Sequence, residues 1–346
     1  MEVTNSGHCG ISVPPDTTDG VTRDVDVWLA DGNCVVVANN FAFRVYKGIL
    51  SLHSDLFRDL FSLPNSSNSD MMDGCPIVTV TDDPHDIRCL FLVLCCGKDF
   101  YHENDEPKPV QFAVLASLIR MGHKYTIPKI MNDALSRLKK YYPISFSAWD
   151  DVATREGYVT TEPIDAFEVV RLARLTETPS LLPSAFFTCC ENMCSISTEG
   201  DGHPAEGQLL LQGLSVDDSR RLINGRENLA LGVVNRLLKL ITKHANLPSD
   251  YRTSHRTCVD RVASIFNLRT LDGSFFKTTR YHAALQPLSD WFFANPTTDP
   301  TGRPGLQCEN CLKFLKLSDE KSRTAVWGLL PEVFNLHVIG WPSSTE

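Results

Sequence analysis

Residues 43–61 read FRVYKGILSLHSDLFRDLF, and three consecutive positions in this stretch, His53, Ser54 and Asp55, are the residue types of a hydrolase triad. A triad needs side chains that converge on one point, with the histidine between the other two. Neighbours on a helical turn instead diverge by about 100° each. No Gly-x-Ser-x-Gly elbow surrounds Ser54. Apolar spacing gives the other reading. Val45, Ile49, Leu50 and Leu52 predict one short helix, and Leu56, Phe57, Leu60 and Phe61 predict a second that ends near Pro64. Ser54 is then an N-cap, Asp55 faces the positive end of the helix dipole, and Phe57 and Phe61 anchor the helix in a core.

Upstream, DVDVWLADGNCVVVA (24–38) has alternating Val25, Val27 and Leu29, turn chemistry at 31–33, and a β-branched run from Cys34 to Ala38. It predicts a β-hairpin closed at Asp31-Gly32-Asn33. Downstream, NSSNSDMMDG (65–74) predicts a flexible loop and PIVTV (76–80) a strand. Asp83, Pro84 and Gly97 bracket a helix as cap, first residue and stop. VQFAVLASLIRMG (110–122) and IPKIMNDALSRLKKYY (127–142) predict two more. The first 143 residues therefore give an α+β pattern, not alternating units around a parallel sheet.

The rest predicts a mainly α-helical region. Apolar stripes run through Ala166, Val169, Val170 and Ala173, then Leu182, Ala185, Phe186, Cys189 and Cys190, then Ala230, Val233, Val234, Leu237, Leu238 and Ile241. SVDD at 215–218 resembles a capping box, and Ser318 is positioned to cap a last helix that runs to Pro331. Residues 245–310 are rich in turn formers.

A chain of 346 residues exceeds one ordinary domain, and 42% hydrophobic residues are enough for real cores. A formal charge of -9 argues against general nucleic-acid binding, which rests on cations neutralising phosphates. No apolar run reaches the ~18 residues of a membrane span, and residues 1–22 read as a polar, disordered arm rather than a secretory signal. Twelve scattered cysteines fit reduced thiols in the cytoplasm or nucleus.

Taken in order, DVDVWL, FRVYKGILSLHSDLFRDLF, VTVTDDPHDIRCLFLVLCCG and LASLIRMGHKYTIPKIMNDALSRL resemble the BTB (POZ) domain. The elements that carry this are Asp26 and Leu29, then Phe43, Lys47 and Leu50, then Ser54, Phe57 and Phe61, and finally Leu118, Lys124 and Tyr125. Tyr46 stands where the family usually has histidine. The match spans about residues 23–142. PSLLPSAFFTCC and LQCENC…VWGLLPEVF are similar to the C-terminal portion that accompanies BTB domains in mushroom-forming fungi. The resemblance implies a BTB/POZ fold at 23–142 and a non-enzymatic protein-interaction module. It implies homodimers, or association with related BTB proteins, through the first helix region and an exposed strand. A role as a cullin adaptor or transcriptional regulator is part of the same implication. Asp26 and Lys47 would shape a charged pocket near the dimer face.

A cullin contact usually needs a hydrophobic-x-Glu motif, yet no glutamate occurs between Glu2 and Glu103; Met71-Met72-Asp73 is the nearest substitute. His255 and Cys258, with Cys308 and Cys311, have the count and paired spacing of a structural zinc site that would organise residues 250–315; core packing is the competing reading for such cysteines. No phosphate-binding glycine loop occurs. An enzyme would need its site in the C-terminal half, where no motif marks one.

Overall fold

Two asparagines, Asn39 and Asn40, separate a valine-rich run from an aromatic one, and the sheet is organised around that turn. The computed structural model describes residues 17–18, 20–62, 71–103, 106–196, 211, 213–245, 258, 284–287 and 309–343. The protein is α+β and divides into two units, Met1–Leu138 and Lys139–Glu346. The first unit contains β1 (Thr17–Thr18), β2 (Val21–Trp28), β3 (Cys34–Ala38), β4 (Phe41–Val45), α1 (Lys47–His53), α2 (Asp55–Ser62), β5 (Met71–Met72), β6 (Cys75–Val80), α3 (Pro84–Cys96), β7 (His102–Glu103), β8 (Glu106–Pro107), α4 (Phe112–Lys124) and α5 (Pro128–Tyr141), whose last turn belongs to the second unit.

The main sheet runs β1-β2-β4-β3-β6-β5. Every residue of β3 is buried, as expected for a central strand covered on both faces. β3 and β4 pair antiparallel with Ala38 opposite Phe41, so Asn39 (φ 51°) and Asn40 form a two-residue turn. The predicted hairpin therefore forms one strand later than the sequence indicates. β2 does not fold back onto β3; it runs parallel to β4, which lies between them. Asp31-Gly32-Asn33 instead docks on β4. Leu29 N donates to Arg44 O (3.0 Å), Asn33 N to Val45 O (3.0 Å), and Arg44 Nε to Gly32 O (2.9 Å). A Cβ at Gly32 would sit 2.9 Å from Arg44 Cγ, so glycine is there for close approach.

Phe41–Val45 is also a strand rather than a helix start, and the helix begins at Lys47. The end of the predicted loop 65–74 is ordered too. Met72 pairs with Cys75 across Asp73 (φ 47°) and Gly74 (φ 72°), the two positive φ values of a tight hairpin turn. Asp83 caps α3 by accepting from His85 N at 2.8 Å, Pro84 follows, and Gly97 closes the helix at φ 66°. The core between sheet and helices is aromatic. Phe57 stacks on Tyr125 (centroids 4.1 Å apart), and Phe43 meets Phe91 edge-on at 5.7 Å.

The second unit is helical: α6 (Phe146–Asp150), α7 (Val152–Glu156), α8 (Asp165–Leu175), α9 (Leu182–Ile196), α10 (Val216–Ala245) and α11 (Glu309–Val333). The stripes predicted for α8 and α9 are buried. Ser215 Oγ accepts from Asp218 N (3.0 Å) at the start of α10. Of the stripe expected on α10, Val233 is buried, and the side chains of Leu237 and Ile241 lie outside the described residues; the buried side is set by other positions as well. It carries Leu222, Leu229, Val233 and Arg236, while Leu238 is exposed. Arg236 takes the inward position because Asp319 (3.0 Å) and the carbonyl of Gln286 (2.6 Å) receive its Nη2. Ser318 caps nothing: α11 begins nine residues earlier, at Glu309, and Ser318 is buried within it.

Candidate interaction surface

Ser54 adopts an extended conformation (φ −142°, ψ 120°) that separates α1 from α2. Its Oγ accepts from Phe57 N (3.2 Å) and donates to the carbonyl of Tyr125 (2.7 Å), 71 residues away. Tyr125 in turn donates its hydroxyl to Asp82 (2.5 Å), which also takes Lys124 Nζ (2.6 Å). One serine thus caps α2 and ties it to the end of α4. His53 and Asp55 are exposed, and Asp55 pairs with Arg58 (2.5 Å). The three residues do not converge on one point. Phe57 and Phe61 are buried on the inner side of α2.

The outer side of this hairpin is different. Leu50 is 0% exposed, whereas Leu52, about 200° further around the helix, is 76% exposed. Leu56 follows at 46%, and Val25 on β2 is 75% exposed. A seven-residue helix that is apolar on opposite sides turns one side to its own core and, among the described residues, leaves the other exposed. β2 also has an open edge: β1 pairs with it only at Val21 and Thr22, and among the described residues no strand continues along the remainder.

Asp26 and Lys47 are not paired with each other. Arg88 on α3 binds both Asp26 and the buried Asp24, the latter through Nε at 2.8 Å. Asp24 also accepts from the amides of Asp26 (3.0 Å) and Val27 (2.9 Å). Lys47 Nζ donates to the carbonyl of Phe61 (3.0 Å) and lies over its ring, while Lys47 N donates to Asn33 Oδ1 (2.9 Å). Arg88 is the residue that sequence reading missed, because nothing near it in the chain announces a partner more than sixty residues away. Met71-Met72 forms β5, and Asp73 is bound by Arg23 (3.0 Å).

No family model matches this chain, and a search of curated proteins returns no match.

Of the predicted zinc ligands, His255 and Cys308 lie outside the described residues; Cys258 is half-buried and Cys311 is buried on α11. Among the described residues, Asp83, His85 and Asp86 bring candidate metal-ligand atoms within 4.8 Å of one another. Asp86 is already engaged. It receives Arg120 through Nε and Nη2 (both 2.7 Å) and Ser117 Oγ (2.6 Å), and Ser117 Oγ also lies 3.1 Å from His85 Nδ1. Burial raises the carboxyl pKa, yet Arg120 and Ser117 outweigh it and hold Asp86 below its ordinary value. The network fastens α3 to α4. Burial pushes the thiols of Cys34, Cys89 and Cys95 up to about 11, so they stay protonated at neutral pH. No helix among the described residues is long and apolar enough to cross a membrane.

Proposed function

We propose that the first unit is a BTB-like self-association module, and that a second copy of the chain covers the outer side of α1 and the open edge of β2. The exposed Leu52 opposite the buried Leu50 carries this reading. The order of elements supports it: hairpin, helix pair capped at Ser54, hairpin, then helices, in the order in which the BTB-like motifs occur. Val25, Leu52 and Leu56 supply apolar anchors, and an interface of standard size needs about 800 Å² per partner. Arg88 neutralises Asp24 and Asp26 on that strand, while Lys47 is held separately by the Phe61 carbonyl.

Self-association would present two copies of the helical second unit, which raises avidity for a dimeric or repeated target. An adaptor role is the function this arrangement suits. The cullin form of that role has less behind it, because Asp73 is held by Arg23 in a tight turn. The test is sedimentation of the full chain from low to high micromolar concentration. Wild type is expected to reach twice the monomer mass, and Leu52→Glu to remain monomeric with unchanged stability. A wild-type chain that stays monomeric at tens of micromolar contradicts the proposal.

A further inference from the structure

Arg155, in α7 of the second unit, is a buried cation with no carboxylate bound to it. It is 9% exposed. Its Nε donates to the carbonyl of Trp149 (2.8 Å) and Nη1 to that of Tyr141 (3.2 Å). The guanidinium lies 4.0 Å from the Trp149 ring centroid and 5.1 Å from that of Tyr141. Among the described residues nothing binds Nη2 and no carboxylate forms an ion pair with the group. A buried charge in a folded protein is normally paired, since leaving it unpaired costs several kcal/mol. Glu191 feels the field of Arg155, but burial pushes its carboxyl up to about 8, so at neutral pH it stays largely protonated and supplies little countercharge.

Arg155 lines a cleft of about 580 Å³, together with Lys139, Lys140, Tyr142, Ile144 and Tyr158. This is the size of a small-molecule site. Lys140 Nζ lies 5.0 Å from the Tyr158 ring centroid. The one acid in the lining, Asp151, is turned to its own helix start: it accepts from Thr154 N (3.2 Å) and Thr154 Oγ1 (2.7 Å). Three cations thus face one carboxylate, and the walls are aromatic and aliphatic.

We infer that this cleft binds a small phosphate monoester with a flat or apolar body. The phosphate would take Nη2 of Arg155 and the ammonium groups of Lys139 and Lys140, and the body would lie against Tyr142, Ile144 and Tyr158. A phosphate monoester carries about two negative charges, which balance the excess of the lining. Nη2 carries two N–H donors, and the two carbonyls that hold Nε and Nη1 fix its direction for charge-assisted bonds to phosphate oxygens.

The test is calorimetric titration of the full chain with phenyl phosphate, inorganic phosphate, benzoate and phenol. Phenyl phosphate should bind saturably, with a dissociation constant on the order of 0.1 mM. Inorganic phosphate, benzoate and phenol should each bind at least roughly tenfold more weakly, since each lacks the body, the second charge or the anion. Arg155→Lys keeps a positive charge but cannot hold both carbonyls and still present Nη2, and should weaken phenyl phosphate about tenfold. Lys140→Gln alters an exposed side chain, so it tests the site even where Arg155→Lys fails to fold; it should weaken binding roughly threefold. No saturable binding of phenyl phosphate up to about 10 mM, or binding unchanged in Lys140→Gln, overturns the inference. Equal binding of inorganic phosphate overturns the role given to the apolar walls.

Discussion

Asp86 in the first unit and Arg155 in the second are both buried charges, and their surroundings differ. Asp86 is met by a two-pronged arginine and a serine. Arg155 is met by two carbonyls and two aromatic rings. The first unit therefore satisfies this charge internally, and what it leaves open is apolar: Val25, Leu52 and Leu56. The cleft of the second unit leaves a charge open. A charge that is fully matched is architecture, whereas a buried group short of its natural counterpart indicates what would bind there.

The largest test of this contrast is Arg120→Met. It leaves Asp86 buried without its countercharge and should destabilise the first unit by about 3 kcal/mol in urea unfolding. A loss under about 1 kcal/mol would mean that Asp86 is not held as described. Ser54→Ala removes both a helix cap and the bond to the Tyr125 carbonyl, and a loss of about 1–2 kcal/mol is expected by the same measurement.

The two units also carry pH dependences of opposite sign. Asp86 titrates below its ordinary value, so its contribution is present at neutral pH. It is lost as pH falls below about 4, through the folded-state pKa. Glu191 keeps its proton up to about 8 in the folded chain but only to about 4.3 when unfolded, so stability falls as pH rises between those values. Urea midpoints should drop between about pH 5 and pH 8, and Glu191→Gln should flatten that slope. A slope unchanged in Glu191→Gln would remove the carboxyl from the account. The smallest effect belongs to Asp26→Asn. This half-exposed partner of Arg88 should cost less than about 1 kcal/mol, because Asp24 holds the same arginine from a buried position.

How much of this was legible in the sequence depended on the range of the interaction. The start and stop of α3 could be read because Asp83, Pro84 and Gly97 act on their own neighbours. The cap at Ser54 was equally local, but its second bond, to Tyr125, was not. Asp31-Gly32-Asn33 and Asn39-Asn40 both carry turn chemistry. Only the three-dimensional placement of β4 decides which closes a hairpin. On α10, Arg236 turns inward because it finds Asp319 from 83 residues away, which no local pattern announces. Asp26 and Lys47 are candidate pocket charges only through the resemblance, whereas Arg88, which organises Asp26, gives no signal in the sequence. Arg155 gave none either, since Trp149, Tyr141 and the cleft walls come from separate elements.

Hydrogen exchange across protein concentration tests most directly whether a second copy covers the outer side of α1. Amides of Ile49–His53 and of the β2 edge should become more protected as the full chain is concentrated from about 1 to 100 μM, and this gain should vanish in Leu52→Glu. Exchange at these amides that is independent of concentration, or a concentration-dependent gain confined to the second unit, would contradict it.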